Sequence, residues 1–360
     1  ERPPLSKAYL LGEMAQERLY LRPAHFYDDL DITLRLNTEV TELDVGAKTV
    51  SLGAEGLAYD KLALCTGSHP RRLPAAIGGD LGNVFTVRTL ADVDAMAPQV
   101  REGARALIVG GGYIGLEAAA VAAKKGMQVT LVEMGQRILQ RVAARETSDH
   151  FRALHKSHGV DIREGVGLER LLGDGDVSGA RFTDGSEIAV DMAVVGVGIV
   201  PATELAEAAG LEIDNGIKTD ARGRTSAPDV YAAGDCTSFP YRGTRIRLES
   251  VPNAIDQAEV VAQNMMGGDV DYVAKPWFWS DQYELKLQMV GFSADGDTQV
   301  LRGDMASNAF AVFYLKDGKV VAADAVNSPK EFMLCKQLVG KNADPEVLAD
   351  PEADLKALLA

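Results

Sequence analysis

The chain is poor in cysteine, aromatic residues and positive charge, and each shortage excludes a class of protein. Three cysteines in 360 residues cannot form a disulfide framework, which favours a reducing, cytoplasmic compartment. Aromatic residues make up only 6% of the chain, too few for a protein that binds its partners through stacked aromatic platforms. With 37 Lys+Arg against 52 Asp+Glu, the formal net charge of −15 argues against a nucleic-acid-binding protein. The apolar runs are short and interrupted by glycine, so no membrane span is predicted.

A βαβ unit is predicted before the middle of the chain. Residues 106–109 form an apolar run typical of a buried strand, which the glycines at 110–112 end. Residues 114–125 are rich in alanine and have helical spacing, and residues 129–132 form a second apolar strand. Because two strands joined through a helix lie parallel, we expect a parallel α/β sheet here.

An internal duplication is predicted from two segments, residues 59–70 and 190–201. In both, an Asp precedes an apolar strand, a glycine follows seven residues after the Asp, and a proline follows three residues later. Residues 177–190 alternate between apolar and polar side chains, which predicts an antiparallel β-meander before the second segment. The agreement in order, spacing and strand type favours duplication over chance.

The duplication also predicts where a second glycine loop belongs. In the second copy, the glycine loop at Gly110 lies far upstream of Gly198. The same offset from Gly67 falls before Glu1, the first residue of the chain. We therefore expect an N-terminal segment of roughly 20 to 50 residues, carrying the first loop, to be missing from this sequence.

The pattern Gly110-x-Gly112-x-x-Gly115, between a predicted strand and a predicted helix, is typical of a dinucleotide-binding fingerprint. Gly110 would make the tight turn, Gly112 would let a pyrophosphate approach the backbone, and Gly115 would let helix and strand pack closely. The N-terminus of the helix offers free N–H groups to the phosphates. Glu133, at the end of the next strand, can accept both ribose hydroxyls and repel a 2′-phosphate, which predicts NADH rather than NADPH. Arg137 lies close enough in sequence to offset that repulsion.

A second nucleotide signal lies at residues 225–235, which read as a polar turn, an apolar strand and then Asp235. In a parallel sheet the carboxyl end of a strand faces the ligand crevice, where a carboxylate suits a polyol hydroxyl. The alternative is an ordinary strand followed by an Asp that caps a helix.

Six segments of the sequence are informative together, namely residues 2–7, 65–71, 110–117, 234–236, 249–254 and 276–283. On these segments the chain resembles the FAD-dependent NADH:ferredoxin reductases that serve bacterial cytochrome P450 and ring-hydroxylating oxygenase systems. The resemblance covers the whole chain. Its main departure is that such proteins begin with a first glycine fingerprint, which is absent from this sequence. One small departure is Cys65, where alanine is usual.

The resemblance implies an α/β fold with two Rossmann-like nucleotide-binding domains of the glutathione-reductase type and a C-terminal α+β domain. It implies that NADH reduces FAD and that the flavin passes electrons singly to a [2Fe–2S] ferredoxin. The expected domains are an FAD-binding domain in two parts, residues 1–98 and 222–276, an NADH-binding domain at 99–221, and a C-terminal domain at 277–360.

The same resemblance assigns roles to single residues. Lys7 would stabilise negative charge on the reduced flavin, Arg88 would lie near the FAD phosphates, and Asp235 would bind the ribityl chain. Glu117 would lie near the nicotinamide, so Lys7 and Glu117 are the candidate catalytic residues. The other expected FAD contacts are Val40, Thr66, Gly67, Val251, Pro252 and Trp279. The expected NAD contacts, besides Glu117, are Gly110, Gly112, Tyr113, Ile114, Gly115, Glu133 and Gly198.

A ferredoxin partner requires a local basic patch, because ferredoxins are typically acidic and this chain is acidic too. Each candidate could equally be an ordinary surface charge. The candidate docking residues are Arg71, Arg72, Arg242, Arg245, Arg247 and Lys286.

Other functions stay open from the sequence. A related flavoenzyme could act as an NADH oxidase or reduce a quinone or monodehydroascorbate, and a non-catalytic relative could sense NADH. No cysteine lies near Lys7, which argues against a disulfide-using reductase, and the three cysteines are expected to be small buried residues. The histidines at 150, 155 and 158 have no accompanying cysteine, so a solvated helix face is expected rather than a metal site.

Overall fold

A computed structural model describes residues 1–359 and divides them into two compact units. The first unit comprises residues 1–21, 70–198 and 279 onward, and the second comprises 22–69 and 199–278. The helices are α1 (Ala24–Asp29), α2 (Leu90–Met96), α3 (Tyr113–Lys124), α4 (Arg145–Ser157), α5 (Glu204–Ala208), α6 (Val251–Met265), α7 (Pro329–Leu338) and α8 (Pro345–Ala349). The strands are β1 (Glu42–Asp44), β2 (Thr49–Leu52), β3 (Glu55–Ala58), β4 (Leu62–Leu64), β5 (Ser68–Pro70), β6 (Val84–Phe85), β7 (Arg105–Val109), β8 (Gln128–Glu133), β9 (Asp161–Glu164), β10 (Leu168–Asp174), β11 (Asp176–Phe182), β12 (Glu187–Ala189), β13 (Met192–Val195), β14 (Ile199–Pro201), β15 (Ile217–Lys218), β16 (Val230–Ala232), β17 (Thr237–Tyr241), β18 (Thr244–Ile246), β19 (Trp277–Gln282), β20 (Leu285–Gly291), β21 (Thr298–Asp304), β22 (Ala309–Lys316) and β23 (Lys319–Val326).

The centre of the first unit is a parallel sheet in the order β6-β13-β7-β8-β9. The predicted βαβ unit is confirmed, because β7 and β8 pair in parallel and α3 connects them. Gly112 is the N-cap residue of helix α3 and provides no capping side chain, and the chain turns away after the helix at Gly126, whose φ of +76° suits glycine. Leu107 and Leu116 are fully buried on β7 and α3, and each such side chain stabilises the fold by about 1.5–3 kcal/mol.

The other sheets of the first unit contain antiparallel strands. Strands β10, β11 and β12 form the predicted meander, which is therefore confirmed and begins earlier than expected, at Leu168. The C-terminal residues form a five-stranded sheet in the order β19-β20-β23-β22-β21. Helix α7 buries Phe332, Cys335 and Leu338, and the buried side chains of β22 include Phe310 and Phe313.

The second unit contains several small sheets. Strands β4 and β16 pair in parallel, with Val230 opposite Leu62, so Gly234 and Asp235 follow the carboxyl end of a parallel strand as predicted. Strands β1, β2 and β3 form a three-stranded antiparallel sheet. Its topology matches that of the β10-β11-β12 meander and supports the predicted duplication. Leu43 and Ile217 are among the buried core residues of this unit.

The four predicted domain segments are a different partition of the chain from the two compact units and stay a prediction. Across residues 1–359, no helix has both the length and the apolar character needed to cross a bilayer.

Candidate nucleotide-binding and redox site

The glycine loop between β7 and α3 is built so tightly that two of its glycines have no room for a side chain. Gly110 has a φ of +107°, and a Cβ there would lie 2.4 Å from the carbonyl oxygen of Gly196. A Cβ on Gly115 would lie 2.0 Å from the carbonyl oxygen of Gly110. By contrast, a Cβ on Gly112 would meet no atom within 4 Å. The backbone is therefore closely packed at Gly110 and Gly115, and there is open space at Gly112. A pyrophosphate would approach the N-terminus of α3 through this space.

Glu133 is held beside this loop by two backbone donors. Its Oε2 accepts a hydrogen bond of 2.7 Å from the Gly111 N–H, and its Oε1 accepts one of 2.6 Å from the Gly135 N–H. Each carboxylate oxygen keeps further acceptor capacity for a ribose hydroxyl. The geometry fits the adenosine ribose of a dinucleotide, and a 2′-phosphate would meet a fixed negative charge.

A second glycine turn completes this edge of the sheet. The N–H of Gly196 donates to the carbonyl of Val109 at 2.8 Å, which places the end of β13 against the end of β7. Gly198 has a φ of +104°, and its carbonyl accepts the Arg71 N–H at 2.9 Å. Sequence reasoning selected Gly198 and missed Gly196, although the two glycines are separated by one residue in the same run.

Lys7, which is half-buried, forms an ion pair with the buried Glu117 inside the first unit. The Nζ of Lys7 lies 2.9 Å from Oε1 of Glu117 and 3.4 Å from Oδ2 of Asp281. Ser280 donates to Glu117 Oε1 at 2.8 Å, and Ser6 donates to Oε2 at 3.2 Å. Both candidate catalytic residues are thus brought together.

The electrostatics of Glu117 reflect its burial. Only 7% of the residue is exposed, and this burial raises the pKa of its carboxyl, while the Lys7 ammonium and the hydroxyls of Ser280 and Ser6 oppose the rise. A buried carboxylate with one cationic partner and two hydroxyl donors is stable only as a set, because removal of one partner leaves an uncompensated charge. This cluster holds the ammonium of Lys7 at a fixed point against the carboxylates of Glu117 and Asp281.

Three candidate FAD residues of the second unit, Thr66, Gly67 and Asp235, follow the carboxyl ends of β4 and β16. Asp235 Oδ2 accepts a hydrogen bond of 3.1 Å from Ser68, next to Gly67. Thr66 donates to the carbonyl of Ala202 at 2.6 Å, and Gly67 has a φ of +72°. An acid at the end of a parallel strand pair fits a ribityl hydroxyl, so this half-site suits FAD.

Helix α6 begins beside the same turn. Ser250 caps the helix by accepting from the Asn253 N–H, and a Cβ on Gly234 would lie 3.6 Å from Ala254. Val251 and Pro252 occupy the first turn of this helix, and the Val251 side chain is exposed, as is that of Val40. The remaining predicted FAD contacts, namely Lys7, Arg88 and Trp279, belong to the first unit.

Two expectations about single residues were wrong. His155 is not on a solvated face, because it is fully buried, and its pKa falls to about 4 through desolvation. Cys65 is exposed rather than buried, whereas Cys236 and Cys335 are buried as expected. The helical spacing of the histidines does not indicate which face of the helix packs against the C-terminal sheet. The burial of His155 could therefore not be predicted from sequence.

The polar residues of β19 were also missed as functional candidates. Ser280 and Gln282 are fully buried and occupy alternate positions of the strand, on the side that meets Glu117 and His155. Buried polar side chains at a period of two in an aromatic strand are a usable signal, since an ordinary strand buries apolar residues there.

Comparison with known proteins places these sites in a family context. The family model described as pyridine nucleotide-disulphide oxidoreductase matches residues 1–258, and the model described as reductase C-terminal matches residues 277–359. A ferredoxin–NAD(P)+ reductase from a Sphingomonas species is 45% identical, over 99% of this chain and 87% of its own length. The ferredoxin–NAD+ reductase component of an anthranilate 1,2-dioxygenase system from Burkholderia cepacia is 41% identical, over 100% of this chain and 90% of its own.

Among solved structures, the covalent complex of putidaredoxin reductase with putidaredoxin contains a chain similar to this one. It matches with a TM-score of 0.95 and 40% identity, over 100% of this chain and 88% of that one. These matches confirm the family resemblance and the fold class predicted from sequence.

Proposed function

The chain belongs to the pyridine nucleotide-disulphide oxidoreductase family, and we propose that it carries electrons from NADH to a [2Fe–2S] ferredoxin. As a member of this family, it is an FAD- and NAD(P)H-dependent oxidoreductase. The ferredoxin would in turn serve a cytochrome P450 or a ring-hydroxylating oxygenase, since one relative is a component of an anthranilate 1,2-dioxygenase system and another forms a complex with putidaredoxin. The observation that carries the proposal is the first unit's combination of a dinucleotide loop with the ion pair of Lys7 and the buried Glu117.

Each candidate residue has a task that its surroundings support. Bound FAD supplies the chemistry, since it accepts a hydride from NADH and gives up electrons one at a time. The open space at Gly112 and the free N–H groups of α3 would hold the NADH pyrophosphate. Glu117 and Ser280 fix the ammonium of Lys7, which can stabilise negative charge without moving. Asp235 would hold the ribityl chain.

We expect the enzyme to prefer NADH, and Glu133→Ala to reduce that preference. The fixed carboxylate of Glu133 favours a ribose diol, and the Arg137 guanidinium is turned away into a loop, donating at 2.8 Å to the carbonyl of Ala143. Loss of the carboxylate is expected to lower the ratio of kcat/KM for NADH to that for NADPH by about 10- to 100-fold.

Steady-state kinetics with both nucleotides measure this ratio. Glu164→Ala is the matched control, because Glu164 lies opposite Glu133 in the β8–β9 register and binds the Ile138 N–H instead. An unchanged ratio in Glu133→Ala would refute the assignment of Glu133 to the ribose.

The proposed function is tested with FAD-loaded protein under anaerobic conditions. Addition of NADH should bleach the flavin absorption band, and addition of an oxidised [2Fe–2S] ferredoxin should restore it as the ferredoxin is reduced. Reoxidation by oxygen or a quinone faster than by any [2Fe–2S] ferredoxin would favour an oxidase or quinone reductase. Slow bleaching with a persistent charge-transfer band would favour an NADH sensor.

We propose that ferredoxin docking depends on exposed arginines. The candidate residues fall into two groups, those engaged in contacts within the protein and those that are exposed. Arg245 donates at 2.8 Å to the Thr219 carbonyl, and Arg247 pairs with Glu249, so both are engaged within the second unit. Arg72 and Arg242 are exposed, and the Arg242 guanidinium lies 5.1 Å from the ring centre of Tyr241. The other candidates, Arg71 and Lys286, are exposed as well.

Replacing either Arg72 or Arg242 by glutamine, in two separate variants, is therefore expected to raise the KM for ferredoxin by about 3- to 10-fold. The rate with ferricyanide, which needs no docking surface, should not change. Arg181→Gln is the matched control, since Arg181 is an exposed arginine paired with Glu187 on the meander. Equal loss with ferredoxin and ferricyanide would contradict a docking role.

A further inference from the structure

A chain of buried hydrogen bonds runs from Glu117 to helix α4. Ser280 Oγ lies 2.8 Å from Glu117 Oε1, and Gln282 Nε2 lies 3.1 Å from Ser280 Oγ. The Oε1 of Gln282 lies 2.9 Å from His155 Nε2, and the Tyr283 hydroxyl lies 3.3 Å from His155 Nδ1. Ser280, Gln282 and His155 are fully buried, so water cannot replace a missing partner.

The direction of every hydrogen bond in this chain follows from Glu117. Its carboxylate, ion-paired with Lys7, can only accept, so the single hydroxyl hydrogen of Ser280 points to it. Ser280 must then accept from the amide of Gln282, which turns the carbonyl of Gln282 toward His155. That carbonyl can only accept, so Nε2 of His155 carries the hydrogen. Burial lowers the pKa of His155 to about 4, so the ring is neutral at pH 7 and its Nδ1 accepts from Tyr283.

We propose that His155 is a positioning residue for Glu117: its Nε2–H holds the Gln282 amide in the one orientation that forces Ser280 to donate to the carboxylate. Without that donor, the amide of Gln282 can turn over and offer its carbonyl to Ser280. The hydroxyl of Ser280 would then have two competing acceptors, and Glu117 would lose a donor on the oxygen that faces Lys7. The effect on flavin reduction rests on the proposed function, whereas the tautomer of His155 does not.

A purely structural role for His155 predicts something different. A buried polar chain contributes little net stability compared with apolar side chains of similar volume, because desolvation offsets its hydrogen bonds. A histidine that merely filled space could be replaced by leucine with an effect independent of Ser280. A histidine that acts through Gln282 and Ser280 must lose its effect once Ser280 has no hydroxyl.

The first measurement is the rate of flavin reduction by excess NADH, followed by anaerobic stopped flow on the FAD-loaded full chain. His155→Leu and Ser280→Ala should each lower this rate by about 3- to 10-fold, and the double variant should be no slower than Ser280→Ala. His155→Gln, which keeps an N–H near the position of Nε2, should return the rate to within about twofold of the wild type. His150→Leu, the same change on the same helix outside the chain, should leave the rate unchanged.

The second measurement determines the tautomer and charge of His155 in the wild-type protein. A long-range ¹H–¹⁵N spectrum of labelled histidine should show His155 as the neutral Nε2–H tautomer at pH 7 and still neutral near pH 5. A Nδ1–H tautomer or a charged ring would overturn the proposal even if His155→Leu does not fold. Additive losses in the double variant, or full activity in His155→Leu, would also overturn it and leave the proposed function standing. Failure of NADH to reduce the wild-type flavin would instead overturn the proposed function and the catalytic consequence together.

Discussion

Gly115→Ala is expected to lower the rate of flavin reduction by NADH by at least about 100-fold, because the new Cβ would lie 2.0 Å from the carbonyl oxygen of Gly110. That oxygen belongs to the backbone of the loop and cannot rotate away. Either α3 or the loop must move by about 1 Å, and a displacement of that size moves the N–H groups that would hold the pyrophosphate. The thermal midpoint should fall as well, since overpacking of this kind costs about 1–3 kcal/mol.

Gly112→Ala provides the contrast, three residues earlier in the same loop. Its Cβ would meet no atom within 4 Å, and its φ of −82° suits alanine, so the thermal midpoint should not change. The methyl group would, however, occupy the space left open for the pyrophosphate, and the KM for NADH should rise at least about tenfold. Thermal unfolding and stopped-flow reduction of both variants separate the two effects. A Gly112→Ala enzyme with wild-type KM would show that the dinucleotide binds elsewhere.

The parts of this site that follow from sequence are those encoded locally. The loop glycines lie within six residues of one another, and the strand before them and helix after them are set by apolar runs and alanine content. Glu133 follows from the same unit, because a parallel neighbouring strand must end beside the loop. Asp235 follows in the same way from the end of β16. In each case, a rule of strand and helix geometry fixes the position without knowledge of the rest of the chain.

The parts that do not follow from sequence depend on side chains from distant segments. Lys7 and Glu117 were linked only by resemblance, and nothing in their spacing predicts that Ser280 joins them. His155 illustrates the same limit, since its burial depends on how the C-terminal sheet packs on α4. From sequence, Arg137 could offset the preference for NADH over NADPH, whereas in the structure its guanidinium donates to loop carbonyls. Such pairings are decided by tertiary packing, which no local pattern records.

Asp324 is a buried carboxyl whose hydrogen-bonding side chains in the described part of the chain are uncharged. Thr147 donates to its Oδ2 at 2.9 Å, and the Tyr314 hydroxyl donates to the same oxygen at 2.5 Å. Tyr314 in turn accepts from the Ala144 N–H. Complete burial raises the pKa of Asp324 to about 6, although the two hydroxyls and the Ala144 N–H oppose the rise.

The sign of the pH dependence follows from this raised pKa. In the unfolded chain the carboxyl ionises near pH 4, whereas in the folded protein it ionises only near pH 6. Asp324 therefore costs no stability below about pH 4, costs progressively more between pH 4 and 6, and costs the full amount above that range. A difference of about two pKa units corresponds to about 3 kcal/mol.

Asp324→Asn removes the ionisation but keeps an oxygen that can accept from Thr147 and Tyr314, so we expect it to be more stable than the wild type at pH 8 by up to about 3 kcal/mol. The gain should shrink as the pH falls and disappear near pH 4. Thermal unfolding of the FAD-loaded variants from pH 4 to pH 8 measures it. Asp191→Asn is the opposite control: Arg105 lowers the pKa of Asp191 to about 2, so its carboxylate stabilises the fold throughout this range and its loss should cost a constant amount. A difference between Asp324→Asn and wild type that stays constant from pH 4 to pH 8 would mean that Asp324 ionises at its ordinary pKa, and that the hydroxyls of Tyr314 and Thr147 fully offset its burial.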